Sequence, residues 1–205
     1  MKIKVCGITN NKNIAEISAL NPDYLGFIFY PQSPRGVTKK IASLDLSIIP
    51  KESSKVAVFV NESYDSISNI IDRYGFEFVQ LHGNESPELC NKLQRIVKVI
   101  KVFRISDSLP QNIDEYQDTC DFILFDSAGK NYGGNGFGFN HSLLDEYKGK
   151  LPFFLSGGIS VDDSTYLKKI KHENLHVVDI NSRFELEPGI KDMEKLTTFF
   201  KNMVL

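Results

Sequence analysis

Short apolar runs recur along the chain, and segments with helical character separate them. Several runs, such as YLGFIFY and VAVFV, are apolar throughout. Strands that are buried on both faces have such sequences, which indicates a parallel sheet covered by helices. The runs predict eight strands, at Ile3–Cys6, Tyr24–Tyr30, Lys55–Val60, Phe76–His82, Lys98–Arg104, Asp121–Asp126, Phe153–Ser156 and Val177–Asn181.

Three of the intervening segments carry clear helix signals. Ser86 followed by Pro87 is typical of an N-cap and a first helical position. The stretch SVDDSTYLKKIKHE, residues 160–173, has a capping serine, early acids and late bases. In the last segment, residues 190–205, apolar residues recur near helical spacing. We therefore expect helices in these three places.

The number and spacing of the predicted strands favour one α/β architecture. Eight strands in 205 residues leave about 26 residues for each strand and its helix, which suits a compact (β/α)8 barrel, or TIM barrel. A doubly wound open sheet typically has about five or six strands and a glycine fingerprint after the first. Here glycines gather instead in residues 132–139 and 156–160. We predict a single barrel domain over residues 1–205.

Composition and charge argue against several classes of protein. With 41% hydrophobic residues, 24% charged residues and a net charge of −2, the chain gives no reason to expect nucleic acid or an anionic membrane as partner. It has no apolar run of the roughly 18–20 residues that a membrane span needs and no secretory signal, so we expect a cytoplasmic protein. Its three cysteines and four histidines are too scattered to predict a disulfide scaffold or a zinc site.

Two reactive side chains fall at predicted strand ends, where the active site of such a barrel lies. Cys6 ends the first strand and Asp126 ends the sixth. A cysteine considered alone usually packs as a small hydrophobe, and an aspartate after a strand often caps a turn. The position at the strand ends favours a functional role for each, and Asp126, at the edge of an apolar run, suits a general acid.

The loops after strands seven and eight are candidates for binding phosphate. In this fold they offer backbone N–H groups and a helix N-terminus to an anion. Gly157 and Gly158 let the backbone approach an anion closely, although glycine pairs are also common in ordinary loops. Strand eight leads into Asn181, Ser182 and Arg183.

Three further polar side chains follow strands two and four. Arg35 is either a solvated loop arginine or a guanidinium fork for a carboxylate or phosphate. Gln80 and His82 end strand four, where they either orient a substrate or satisfy hydrogen bonds at the strand end. The residues alone leave both alternatives open.

Taken in order, these segments resemble the phosphoribosylanthranilate isomerases of tryptophan biosynthesis. The opening CGIT and the VQLHG box are specific when they occur together, and the matching stretches span nearly the whole chain. These stretches are KVCGITN (4–10), LGFIFYPQSPR (25–35), VAVFVNE (56–62), VQLHGNE (79–85), LFDS with YGGNGFGF (124–139), LSGGI (155–159) and PGIKD (188–192).

The resemblance implies a (β/α)8 barrel and a specific reaction. That reaction is the Amadori rearrangement of N-(5-phosphoribosyl)anthranilate to 1-(2-carboxyphenylamino)-1-deoxyribulose 5-phosphate, without cofactor or metal. By the same resemblance Cys6 is the general base, Asp126 is the general acid and Arg35 binds the anthranilate carboxylate. The loops after strands seven and eight bind the phosphate. An ordinary cysteine is mostly thiol and an ordinary aspartate mostly ionised at neutral pH, so the site must change this balance.

Two positions depart from the family's pattern. Arg183 stands where many members have a glycine, so it either turns outward or adds a charge near the phosphate. Phe137 stands where a lysine or another polar residue is common, which suits apolar contact with the anthranilate ring.

Two other functions stay as alternatives. A phosphoribosyl isomerase of the histidine-pathway type is expected to have an aspartate where this chain has Cys6. A barrel that binds a phosphorylated ligand without converting it would not need the pair of Cys6 and Asp126. In each case the partner is a phosphorylated small molecule, and we expect a monomer or a homodimer.

Overall fold

Hydrogen bonds between neighbouring strands close the sheet into a barrel. The computed structural model describes residues 1–127 and 141–204, and within them eight parallel strands pair in chain order, with the last strand returning to the first. The predicted (β/α)8 fold is confirmed. The strands are β1 (Lys2–Cys6), β2 (Tyr24–Ile28), β3 (Ser54–Phe59), β4 (Phe78–Leu81), β5 (Lys98–Ile105), β6 (Phe122–Ser127), β7 (Phe153–Leu155) and β8 (Leu175–Ile180).

All eight predicted strands are present, and most differ from the prediction by only one or two residues. The largest differences, of two residues, are in β2, which ends at Ile28 instead of Tyr30, in β4, which begins at Phe78 instead of Phe76, and in β8, which begins at Leu175 instead of Val177. Phe29 and Phe76 lie just outside the ladder but are buried and pack edge-to-face, with ring centroids 5.5 Å apart. Apolar residues therefore continue past the strand ends because they fill the layer outside the barrel.

Helices cover the barrel unevenly. The described α-helices are α1 (Asn11–Ser18), α2 (Tyr64–Tyr74), α3 (Pro87–Gln94), α4 (Ser164–Leu167) and α5 (Met193–Val204). The predicted cap of α3 is confirmed, since the Ser86 hydroxyl accepts a hydrogen bond from the Leu89 N–H. Short 3-10 turns occupy the connections after β2, β5 and β6 among the described residues.

Two of the predicted helices are shorter than the sequence pattern indicates. Ser160 and Asp163 form a capping box, but it opens a 3-10 turn, and α4 ends at Leu167. The Ile170 N–H bonds to the Leu167 carbonyl, three residues back, as the chain turns towards β8. Helix α5 begins at Met193 because the preceding residues pair instead in a small antiparallel hairpin of β9 (Glu185–Glu187) and β10 (Ile190–Lys191).

Four aromatic side chains form a circular cluster, called the aromatic ring below, which fills the N-terminal end of the barrel interior. Tyr24, Phe78 and Phe122 begin β2, β4 and β6, and Phe154 comes from the middle of β7. Successive ring centroids around this cluster lie 5.2, 6.0, 5.4 and 5.3 Å apart. Above the aromatic ring, inward positions become smaller or polar. The interior is therefore filled by aromatic side chains at its N-terminal end and carries smaller or polar side chains at its C-terminal end.

No helix within residues 1–127 and 141–204 has the length and apolar character needed to cross a lipid bilayer.

Replacing Phe154 by alanine tests the aromatic ring. Phe154 is fully buried, so its loss leaves a cavity between Tyr24 and Phe122. We expect the free energy of unfolding to fall by about 3–5 kcal/mol, measured by denaturant titration. Leu186→Ala is the control, since Leu186 is 73% exposed and its removal should cost no more than about 0.5 kcal/mol. Equal effects of the two changes would contradict the packing role.

Candidate active site

A cavity opens at the C-terminal ends of the strands, as expected for the fold. Nine of the ten predicted site residues line it, and Arg183 is the exception. The nine are Cys6, Arg35, Gln80, His82, Asp126, Gly157, Gly158, Asn181 and Ser182. Strand closure therefore brings together side chains that are distributed over almost the whole sequence.

Cys6 faces this cavity from the end of β1 and is almost wholly buried. Its neighbour in the ladder is Gly26 of β2, where a Cβ atom would lie only 2.7 Å from the Cys6 Sγ. Glycine at this position leaves room for the thiol. The sequence carried a signal for this contact, because a glycine inside an apolar strand marks a close approach, but the sequence analysis missed it.

Two lysines and an aspartate surround the Cys6 thiol. Burial raises its pKa above the ordinary value of 9.0, and the carboxylate of Asp179 acts in the same direction. The ammonium groups of Lys4 and Lys191 oppose this rise. In the unliganded protein the thiol is therefore the main form at neutral pH.

Lys4 and Asp179 form a buried ion pair below the cavity floor. The Lys4 Nζ lies 2.8 Å from the Asp179 Oδ2, and the exposed fractions of the two side chains are 0% and 5%. The other carboxylate oxygen, Oδ1, is buried and has no hydrogen-bond partner among the described residues, and Asp179 lines the cavity. The sequence analysis did not identify this pair, because its two members lie 175 residues apart in the chain.

Asp126 lies beside His82 at the end of β6. The Asp126 Oδ2 is 3.2 Å from the His82 Nε2, although the two groups are not aligned as a hydrogen bond. The Gln80 side-chain amide lies 3.1 Å from the His82 Nδ1 and orients the imidazole so that its Nε2 faces Asp126.

Arg35 is held by a carboxylate that the sequence analysis did not identify. Its Nε and Nη2 donate to the two carboxylate oxygens of Glu185, at 2.9 and 2.6 Å for the shortest contacts. Lys191, which is also buried, donates to Glu185 Oε1 at 2.8 Å and to Asn181 Oδ1 at 2.8 Å. The network connects the loop after β2 to the hairpin after β8 and leaves the Nη1 side of the guanidinium outside this bidentate contact.

Gly7 allows these groups to meet. Its φ of +79° lies in the left-handed region, and a Cβ atom there would lie 2.7 Å from Asn181 Oδ1 and 2.9 Å from Arg35 Cδ. The glycine of the opening CGIT motif therefore has a structural reason, which is the close approach of the loops after β2 and β8 to the end of β1.

The two predicted phosphate loops border the cavity on one side. Gly157 and Gly158 both have positive φ, and they line the cavity with Ser182. Arg183 is exposed, whereas the next residue, Phe184, is fully buried against Phe199 of α5, with ring centroids 5.0 Å apart. Anchoring of Phe184 in the core favours the outward alternative for Arg183.

The glycine-rich stretch with Phe137 lies outside the described residues. Within the described ranges, no group of three histidine, cysteine, aspartate or glutamate side chains is placed to hold a metal ion.

Glu185→Gln tests the network around Arg35 through its pH dependence. Burial alone would raise the pKa of Glu185, but hydrogen bonds from Arg35 and the charge of Lys191 outweigh it, so the pKa lies below the ordinary 4.5. A lowered pKa stabilises the fold above the unfolded value, and this contribution is lost as pH falls through the folded value. We expect Glu185→Gln to cost roughly 1.5–3 kcal/mol of unfolding free energy at neutral pH, and the difference from wild type to shrink in acid.

The matched control is Glu187→Gln in the same hairpin, where the side chain is exposed. The free energy of unfolding of the wild type, Glu185→Gln and Glu187→Gln is measured by chemical denaturation at a series of pH values. A Glu185→Gln deficit that stays constant down to strongly acidic pH would contradict the assigned network.

Comparison with known proteins gives one consistent family. The family model described as "N-(5'phosphoribosyl)anthranilate (PRA) isomerase" matches residues 3–202. A relative of that name from Phocaeicola vulgatus is 41% identical over 205 residues, which cover 99% of this chain and 98% of the relative.

Solved structures agree with this match. The phosphoribosyl anthranilate isomerase from Thermotoga maritima superposes with a TM-score of 0.83 at 30% identity, covering 100% of this chain and 98% of that one. A second isomerase structure, in complex with reduced 1-(o-carboxyphenylamino)-1-deoxyribulose 5-phosphate, gives a TM-score of 0.82 at 29% identity, with the same coverage. This chain belongs to the N-(5'-phosphoribosyl)anthranilate isomerase family.

Proposed function

We propose that this chain isomerises N-(5-phosphoribosyl)anthranilate to 1-(2-carboxyphenylamino)-1-deoxyribulose 5-phosphate. The observation that carries the proposal is that Cys6 and Asp126 line one cavity that is bordered by the loops after β7 and β8. A thiol and a carboxyl on different strands supply the two proton-transfer groups that the reaction needs. Family membership supports the choice of substrate.

The proposed mechanism uses one acid and one base. Asp126 donates a proton to the furanose ring oxygen, and the ring C1–O bond breaks as the nitrogen lone pair forms the iminium. The Cys6 thiolate then removes the proton from C2, and the electrons of that C–H bond form the enamine, which tautomerises to the ketone. Because β1 and β6 are separated by β7 and β8 around the barrel, a sugar can lie between the two groups.

The remaining cavity residues have binding roles in this proposal. Arg35 receives the anthranilate carboxylate through the guanidinium edge that Glu185 leaves unused. Gly157, Gly158, Asn181 and Ser182 receive the phosphate, while Gln80 and His82 orient the sugar and Asp126.

The bound product analogue of the solved relative supports a phosphorylated small molecule as the ligand. A cytoplasmic location suits a biosynthetic enzyme of this kind. The expected assembly, a monomer or a homodimer, stays a prediction.

Substitution of the proposed acid and base tests the function directly. We expect Cys6→Ala and Asp126→Asn each to lower kcat by a factor of about 10²–10⁴ or more, because each removes one proton-transfer group. The loss of substrate fluorescence during turnover gives the rate. Cys120→Ser is the control, since its buried thiol donates to the Tyr116 carbonyl and a serine hydroxyl keeps that bond. Near-normal turnover in either of the first two variants would overturn the corresponding role.

A second pair of variants distinguishes the roles of Arg35 and Arg183. We expect Arg35→Lys to raise KM about tenfold or more, because lysine cannot reproduce a planar fork that binds Glu185 and substrate together. Arg183→Gly should leave KM within about twofold of wild type, since Arg183 is exposed and outside the cavity lining. Steady-state kinetics on both variants give the KM values. A large rise in KM for Arg183→Gly would instead place its charge near the phosphate.

A further inference from the structure

Burial of an ammonium group is energetically unfavourable, yet a wholly buried lysine lies below the Cys6 thiol. It has no role in the mechanism proposed above. Lys4 has 0% exposure and lies in the barrel interior, two residues before Cys6 on β1. Residues two apart on a strand point to the same face, so the Lys4 and Cys6 side chains share the interior. Removing an ammonium from water is strongly unfavourable unless partners compensate for it.

We propose that Lys4 is a positioning residue, whose ammonium bridges the Asp179 carboxylate and the Cys6 sulfur and stabilises the thiolate that removes the substrate proton. The proposal rests on the proposed role of Cys6 as the base. It identifies the group that stabilises the negative charge that this role requires on the Cys6 sulfur.

The contacts of Lys4 support the bridging arrangement. One N–H donates to Asp179 Oδ2 at 2.8 Å, and the positive charge of Lys4 also acts on the Cys6 sulfur, which lies two residues further along the same face of β1. Burial would lower the pKa of Lys4, but these two partners outweigh it and raise the pKa above the ordinary 10.5. Lys4 is therefore a permanent cation at the pH of catalysis.

Asp179 has a defined part in the same arrangement. Burial acts to lower the pKa of Lys4, and the Asp179 carboxylate opposes that fall. The negative charge of Asp179 also disfavours a thiolate nearby. Lys4 and Asp179 thus act on the thiol in opposite directions.

Other charged groups face Cys6 from the surrounding elements. Lys191 of β10 contributes a second positive charge, and it is shared with Glu185. Across the cavity, Asp126 lies near the end of β6 and His82 directly follows β4. On the β2 side the ladder neighbour is the uncharged Gly26, and Arg35, in the loop after β2, is bound by Glu185. Lys4 is the cation whose charge lowers the pKa of the thiol most.

The proposal predicts opposite shifts for two substitutions. The readout is the rate of alkylation of Cys6 by iodoacetamide over a range of pH, followed by mass spectrometry of the peptide that contains Cys6. Only the thiolate reacts, so the midpoint of the rate profile reports thiol ionisation. We expect Lys4→Met to move the midpoint up by about one pH unit or more, with alkylation at pH 8 slowed about tenfold. Asp179→Asn should move it down.

Three controls keep the comparison clear. Lys2→Met removes an exposed lysine from the same strand, and the midpoint should not change. Burial raises the pKa of Cys90 and Cys120 to about 12, so their peptides should stay largely unmodified. If Lys4→Met fails to fold because Asp179 is left unpaired, the double variant Lys4→Met/Asp179→Asn, compared with Asp179→Asn alone, isolates the same effect.

The outcomes are decisive in both directions. An upward shift on removal of Lys4, in either background, supports the proposal. A midpoint that stays within about 0.3 pH units in both backgrounds overturns it. The alkylation assay contains no substrate, so its result is independent of whether the chain isomerises phosphoribosylanthranilate, which turnover measurements test separately.

Discussion

Pairing of the first strand with the last one is the constraint on which the site depends. Lys4 and Val5 of β1 lie in register with Asp179 and Ile180 of β8, so barrel closure places side chains 175 residues apart in contact. The same closure brings the end of β1 against the loop after β8, where Gly7 admits the Asn181 side chain. A sheet left open between these strands would keep every β-strand but lose the surroundings of Cys6.

Two groups of paired charges lie around the cavity. Lys4 pairs with Asp179, and Glu185 accepts hydrogen bonds from both Arg35 and Lys191. Buried ions of this kind are tolerated because each has a partner, and they hold fixed orientations that solvated side chains lack. The first group lies below the sulfur and affects its ionisation. The second holds a guanidinium at the rim, where a carboxylate of a ligand can reach it.

Much of the architecture was predictable because it depends on local chemistry. Uninterrupted apolar runs located the strands, and the Ser86–Pro87 pair located the start of α3. Residues 160–173 misled the prediction, since a capping serine and suitable charges also fit a short turn followed by four helical residues. Strand ends and the family resemblance together located Cys6, Asp126 and the cavity glycines.

The partners of those residues were not predictable, since they depend on contacts between distant segments. Lys4 looks like an ordinary strand lysine until β8 places Asp179 beside it. Glu185 looks like a hairpin residue until the loop after β2 brings Arg35 against it. The sequence does place Lys4 on the same strand face as Cys6, but that alternation does not tell which anion neutralises the lysine.

The aromatic ring at the opposite end of the barrel determines the route by which a ligand enters and leaves. Tyr24, Phe78, Phe122 and Phe154 fill the interior below the polar layer, so a ligand that reaches Cys6 enters through the C-terminal mouth and its product leaves by the same route. Arrival and departure therefore compete for one opening. A molecule that stays at the rim therefore obstructs the entry of the next one.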